Sequence, residues 1–168
     1  MKSRLWYPQL DVASTARRLV RLLREWNVRE TSLERLFVAD YFLASPELLG
    51  DIKMPDDLRK IYSNQKFPKR KDSFVSFPSP VILFHSMNPI QVKALASLVA
   101  KEVVDRDEYA LGKARLTEVG MDAADRLSSL HAGSLETSAL AFLGMAFSRV
   151  DFSTKTDLRA RTGLRYYG

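Results

Sequence analysis

The stretch that most constrains the fold is Leu33–Ala44, LERLFVADYFLA. Wound as a helix, it puts Leu33, Phe37, Asp40 and Ala44 on one side and Val38, Ala39 and Phe42 on the other. A helix that is apolar nearly all round has no face to give to water, so it must be covered on several sides or lie at a subunit interface. Asp40 is the acidic exception inside the run. Burying a carboxylate is expensive unless something pairs with it. That leaves a catalytic group in a cleft or a structural group held by hydrogen bonds.

The rest of the chain supplies material to wrap such a helix. Asp11–Asn27, DVASTARRLVRLLREWN, gathers Val12, Ala16, Leu19, Leu23 and Trp26 on one face, with Asp11 as N-cap. Arg17, Arg21 and Arg24 lie opposite, flanked by Arg18. These four arginines are either a solvated surface or a basic stripe that meets an acidic partner or DNA. Thr31 and Glu34 have capping-box spacing ahead of the apolar run. Ser45-Pro46 and Pro55 mark two further helix starts, and Gly50 a stop.

Residues 64–80, NQKFPKRKDSFVSFPSP, break the pattern with three prolines and the basic cluster Lys66, Lys69, Arg70 and Lys71. They read as a loop between a helical part, 1–63, and a second part, 81–168, of a single domain. Beside Phe67, the cluster is a candidate contact for a phosphate backbone. Asn88-Pro89 then reads as the start of a helix with Val92, Leu95, Ala96, Val99 and Val103 on its apolar stripe. Tyr109–Thr117 alternates weakly and suggests a short β-hairpin. Helix, strand pair and helix in that order suit a winged-helix-like unit. Its exposed face, Lys93, Ser97 and Lys101, lacks the residues that read base edges. Helices over Glu118–Gly133, Ser134–Val150 and Ser153–Gly163 complete the chain. The expected fold class is mainly α, with a helical N-terminal half, a winged-helix-like second half and a short hairpin.

The chemistry-bearing residues are sparse. There are no cysteines and two histidines, His85 and His131, neither with a second ligand at metal-site spacing. No phosphate-binding glycine loop, nucleophile elbow or zinc-protease helix is present. The expectation is no catalytic residue, no cofactor and no metal. The N-terminus has no signal-peptide core, and no run approaches the roughly 18 apolar residues of a membrane span, so a cytoplasmic protein is expected. A net charge of +6 permits contact with nucleic acid or an acidic protein without choosing between them.

Four stretches, in order along the chain, carry a resemblance. Tyr7–Leu23 (YPQLDVASTARRLVRLL) and Leu33–Leu49 (LERLFVADYFLASPELL) resemble the opening of the middle components of ABC-three-component systems. Asn88–Asp105 (NPIQVKALASLVAKEVVD) resembles their central helix, and Thr156–Leu164 (TDLRARTGL) their C-terminal signature. The resemblance implies a non-catalytic subunit of a Lamassu-type antiphage defence complex. Such a subunit bridges an SMC-type ABC ATPase, which senses double-stranded DNA, and an effector, often a nuclease. It also implies that Asp40 is structural, its carboxylate accepting from an arginine or from free N–H groups at a helix start. Two other readings of the residues stay open: a free-standing winged-helix transcriptional regulator that binds DNA, and a small enzyme or toxin with no recognisable site.

Overall fold

The structure, a computed structural model, describes residues 7–26, 31–69, 79–130, 133–149 and 155–164. A 3-10 turn over Pro8–Leu10 leads into α1, Val12–Trp26. Asp11 opens that helix: its Oδ2 accepts the Ser14 N–H at 2.7 Å. The strand β1, Thr31–Ser32, precedes α2, Leu33–Ala44. A 3-10 stretch over Pro46–Asp51 and α3, Asp56–Asn64, follow. The second half holds α4, Pro80–Ala100, α5, Arg106–Ala110, and β2, Lys113–Ala114. It ends with α6, Glu118–Ser129, α7, Ser134–Arg149, and α8, Lys155–Thr162. The fold is mainly α, with a short two-stranded antiparallel sheet.

The helix α2 lies at the centre, as its composition demands. Every residue from Leu36 to Leu43 is buried. Four helices, α1, α4, α7 and α8, pack against it. Each large apolar side chain so covered contributes about 1.5–3 kcal/mol as an upper estimate. The helix α1 is the second organising element, since α4, α6 and α7 all pack on it as well. The buried apolar side chains of both halves join one core.

Four local expectations are corrected. The cap of α2 is Ser32, whose Oγ accepts the Arg35 N–H at 3.3 Å. Thr31 stands instead in β1, opposite Ala114, and the Glu34 carboxylate turns to Arg159. Before α4, Ser79 and Pro80 form a cap-and-proline start of their own, ahead of Asn88-Pro89. The helix therefore begins at Pro80 and carries the exposed Pro89 in its interior. An interior proline costs about 3 kcal/mol. Burying Leu83, Phe84 and Met87, at about 1.5–3 kcal/mol each, outweighs it. The buried stripe of α4 is also rotated: Gln91, Ala94, Leu95, Leu98 and Val99 face inward, while Val92 and Ala96 are exposed.

The fourth correction concerns the hairpin expected at Tyr109–Thr117. Asp105 caps a helix there, its Oδ1 accepting from the N–H groups of Asp107 at 2.9 Å and Glu108 at 3.1 Å. The α5 turn occupies the place of a first strand. The strand β2 pairs with β1, joining residues far apart in sequence, with Thr31 opposite Ala114 and Ser32 opposite Lys113. A single antiparallel bridge, Val104 to Leu116, closes the chain around α5.

The junction of α4 and α6 is tightly specified. The end of α4 is a Schellman turn, with Val103 N–H on Leu98 O at 2.9 Å and Glu102 N–H on Val99 O at 3.0 Å. Glu102 takes the left-handed conformation that this turn requires, φ 59°. Thr117 caps α6, accepting the Gly120 N–H at 3.0 Å. Its hydroxyl also donates to the carbonyls of Glu102 at 2.5 Å and Val103 at 3.3 Å. A Cβ at Gly120 would stand 2.1 Å from the Val103 carbonyl oxygen, so only glycine lets the first turn of α6 approach that backbone.

Candidate functional site

The four arginines of α1 do not share one surface. Arg18 turns inward and is buried. Its Nε donates to Asp40 Oδ1 at 2.6 Å and its Nη2 to Asp40 Oδ2 at 3.3 Å. Its Nη2 also donates to Thr15 Oγ1 and its Nη1 to the Pro8 carbonyl, each at 3.0 Å. Gln91 on α4 donates through Nε2 to Asp40 Oδ2 at 2.9 Å and to the Phe37 carbonyl at 3.0 Å. Asp40 is 0% exposed, and both its oxygens are engaged. Such a carboxylate clamps α1, α2 and α4 together and has no path to a substrate. A partner-binding role for Arg18 is overturned by this burial.

Arg21 and Arg24 point to the other side of α1. Arg21 Nη1 lies 2.7 Å from Glu136 on α7, and Arg24 Nε lies 3.0 Å from Asp125 on α6. Both hold neighbouring helices, the second through an exposed pair. Arg17 is exposed, and among the described residues it makes no ion pair.

Arg17 stands on a groove of about 480 Å³ between α1, the end of α4 and α6. Val20, Leu98 and Leu127 form its apolar floor. Val119 and Leu130 flank it and are 54% and 64% exposed, high for such side chains. Arg17, Asp122 and Arg126 supply its charges. None of its lining side chains is a buried polar atom without a partner. The surface is built for apolar contact with charge at its edge. The sequence did carry a signal for it. Val119, Ala123, Leu127 and Leu130 recur at helical spacing, but the same stripe also suits a helix that is simply packed on a core.

Among the basic cluster, Lys66 and Lys69 are exposed, and Lys66 has φ 52° just after α3. Arg70 and Lys71 lie outside the described residues. Phe67 does not stand beside them as an exposed ring. It is buried, stacked on Tyr62 at 5.6 Å and edge-on to Phe142 at 5.7 Å. Burial of the ring in that aromatic cluster anchors the start of the basic segment and takes Phe67 out of any nucleic-acid contact. His85 is exposed, and His131 lies outside the described residues. Among the described residues no group of three His, Cys, Asp or Glu could hold a metal ion. No helix among them is long and apolar enough to cross a membrane.

A family model described as ABC-three component (ABC-3C) system Middle Component 5 matches residues 4–167. The match spans nearly the whole chain, and the chain belongs to that family. Comparison with curated proteins and with solved structures finds no match.

Proposed function

We propose that this member of the middle component 5 family is a non-catalytic bridging subunit of an antiphage defence complex. Its partners are an SMC-type ABC ATPase and an effector, a nuclease in the Lamassu type. It couples DNA sensing by the ATPase to control of that effector. The observation that carries this reading is the family match over residues 4–167. Two features support it. Asp40, the group that a catalytic reading would use, is tied into helix packing. An open apolar groove with charged edges offers a surface for a protein.

Double-stranded DNA enters through the complex, and the exposed Lys66 and Lys69, with Arg70 and Lys71, are the groups for sequence-tolerant backbone contact. The test is co-expression of the tagged chain with the proposed ATPase and effector. All three should elute together. Reversing the four loop charges should leave that complex intact, weaken its DNA binding and flatten the salt dependence. Sharp, sequence-specific binding by the isolated chain, on the order of a thousandfold over random DNA, would replace this reading with the winged-helix regulator.

A further inference from the structure

We propose that the groove between α1 and α6 receives an amphipathic helix of a partner component, with an apolar ridge flanked by carboxylates. The inference rests on the bridging reading and deepens it by naming a surface and the chemistry of its occupant. Three observations lead there.

The apolar lining comes first. Val119 and Leu130 keep more than half of their surface in water, over a floor of Val20 and Leu127. Apolar anchors spaced along a helix at i, i+3, i+4 and i+7 fill a groove of this kind. Small-molecule sites add a few convergent polar groups to fix orientation, and the lining here has no unpartnered buried polar atom to do so.

Charge comes second. Arg18, Arg21 and Arg24 on α1 each have an acidic partner within the chain. Arg17 and Arg126, the two guanidiniums of the groove, make no direct ion pair among the described residues, Arg17 meeting the Asp11 carboxylate only through its longer-range field. Asp122 is the single carboxylate of the lining and makes no ion pair with Arg126, one turn away. Two guanidiniums with no direct ion pair favour an occupant that brings carboxylates, each able to take a two-pronged hydrogen bond.

Rigidity comes third. The α6 wall of the groove is fixed to the end of α4 by the Thr117 and Gly120 contacts to Glu102 and Val103. A partner meets a preformed surface, with little ordering cost on this side.

The experiment uses the purified complex of this chain with its ABC components. Three forms are compared: the parent, Val119→Asp with Leu130→Asp, and Arg17→Glu with Arg126→Glu. All four positions are exposed or partly exposed, and thermal melts verify that the fold persists. Each double variant should weaken one component's binding by roughly thirtyfold, the size of a hot-spot loss. The charge-reversed form should also lose the salt dependence of that step. A photo-cross-linker at Leu130 should capture a partner segment with apolar residues at helical spacing and flanking Asp or Glu. Undiminished binding by both variants overturns the proposal, as does a cross-link to a second copy of this chain or to a basic segment. The bridging reading survives those results as long as the parent still co-purifies with its components. If the parent does not co-purify, the bridging reading fails and the groove proposal falls with it.

Discussion

Asp40 shows how a single residue is decided by its neighbours. Its carboxylate accepts three hydrogen bonds from Arg18 and Gln91, in a site with no exposure. Removing one side of such a buried pair costs about 3–5 kcal/mol, because the other charge is left without compensation. Asp40→Ala should therefore lower the melting temperature sharply, with the loss measured by chemical denaturation. A melt equal to the parent's would contradict the clamp. Asp105 offers a pH test at the same scale. The hydrogen bond from the Arg115 guanidinium, then those from the Glu108 and Asp107 N–H groups, hold its carboxyl below the ordinary value of 3.8. The unfolded chain therefore takes up this proton first as pH falls. The contribution of Asp105 is present above 3.8 and is lost as pH drops below it, through the folded value. Asp105→Asn keeps a good cap residue but ends the ion pair. It should flatten the acid side of the stability curve, followed by thermal melts from pH 6 to about pH 2. An unchanged acid limb would show that the Arg115 contact adds nothing.

Elements were legible where one local signal had no competitor. The mostly apolar α2 predicted its own burial, and helices were expected over the stretches that hold α6, α7 and α8. Reading failed where two signals competed or where the partner was distant. Asn88-Pro89 looks like a helix start, yet Ser79-Pro80 is an equally good one, and the buried Leu83, Phe84 and Met87 decide for the earlier site. Arg18 sits beside three arginines in sequence, but Thr15 and Leu22, one turn away on either side, mark its true face as buried. Strand β2 could not be paired from sequence, since its partner lies across the whole of α2, α3 and α4. The packing of α6 yields a prediction at this scale. Gly120→Ala would drive a Cβ onto the Val103 carbonyl oxygen, a backbone atom that cannot swing aside. Overpacking of this kind costs about 1–3 kcal/mol. The variant should melt lower, and hydrogen exchange should be faster in α6 than in α2. Parent-like stability and exchange would mean that the two segments are not locked together.

At the scale of the molecule, the structure is a helical core in which described ion pairs tie one helix to another. Arg18 and Asp40 join α1 to α2, Arg21 and Glu136 join α1 to α7, and Arg159 and Glu34 join α8 to α2 at 2.6 Å. Other charges face outward, among them Arg17 and Arg126 at the groove and Lys66 and Lys69 after α3. That distribution suits a chain whose work is contact. Membership in the ABC-three-component middle components gives the contact its setting. The most direct test of the bridging claim is native mass spectrometry of the proposed ATPase and effector, mixed with and without this chain. The account predicts that a species containing both appears only when this chain is present, and that its mass includes the chain. A complex of ATPase and effector that forms unaided, or one from which the chain is missing, would contradict it.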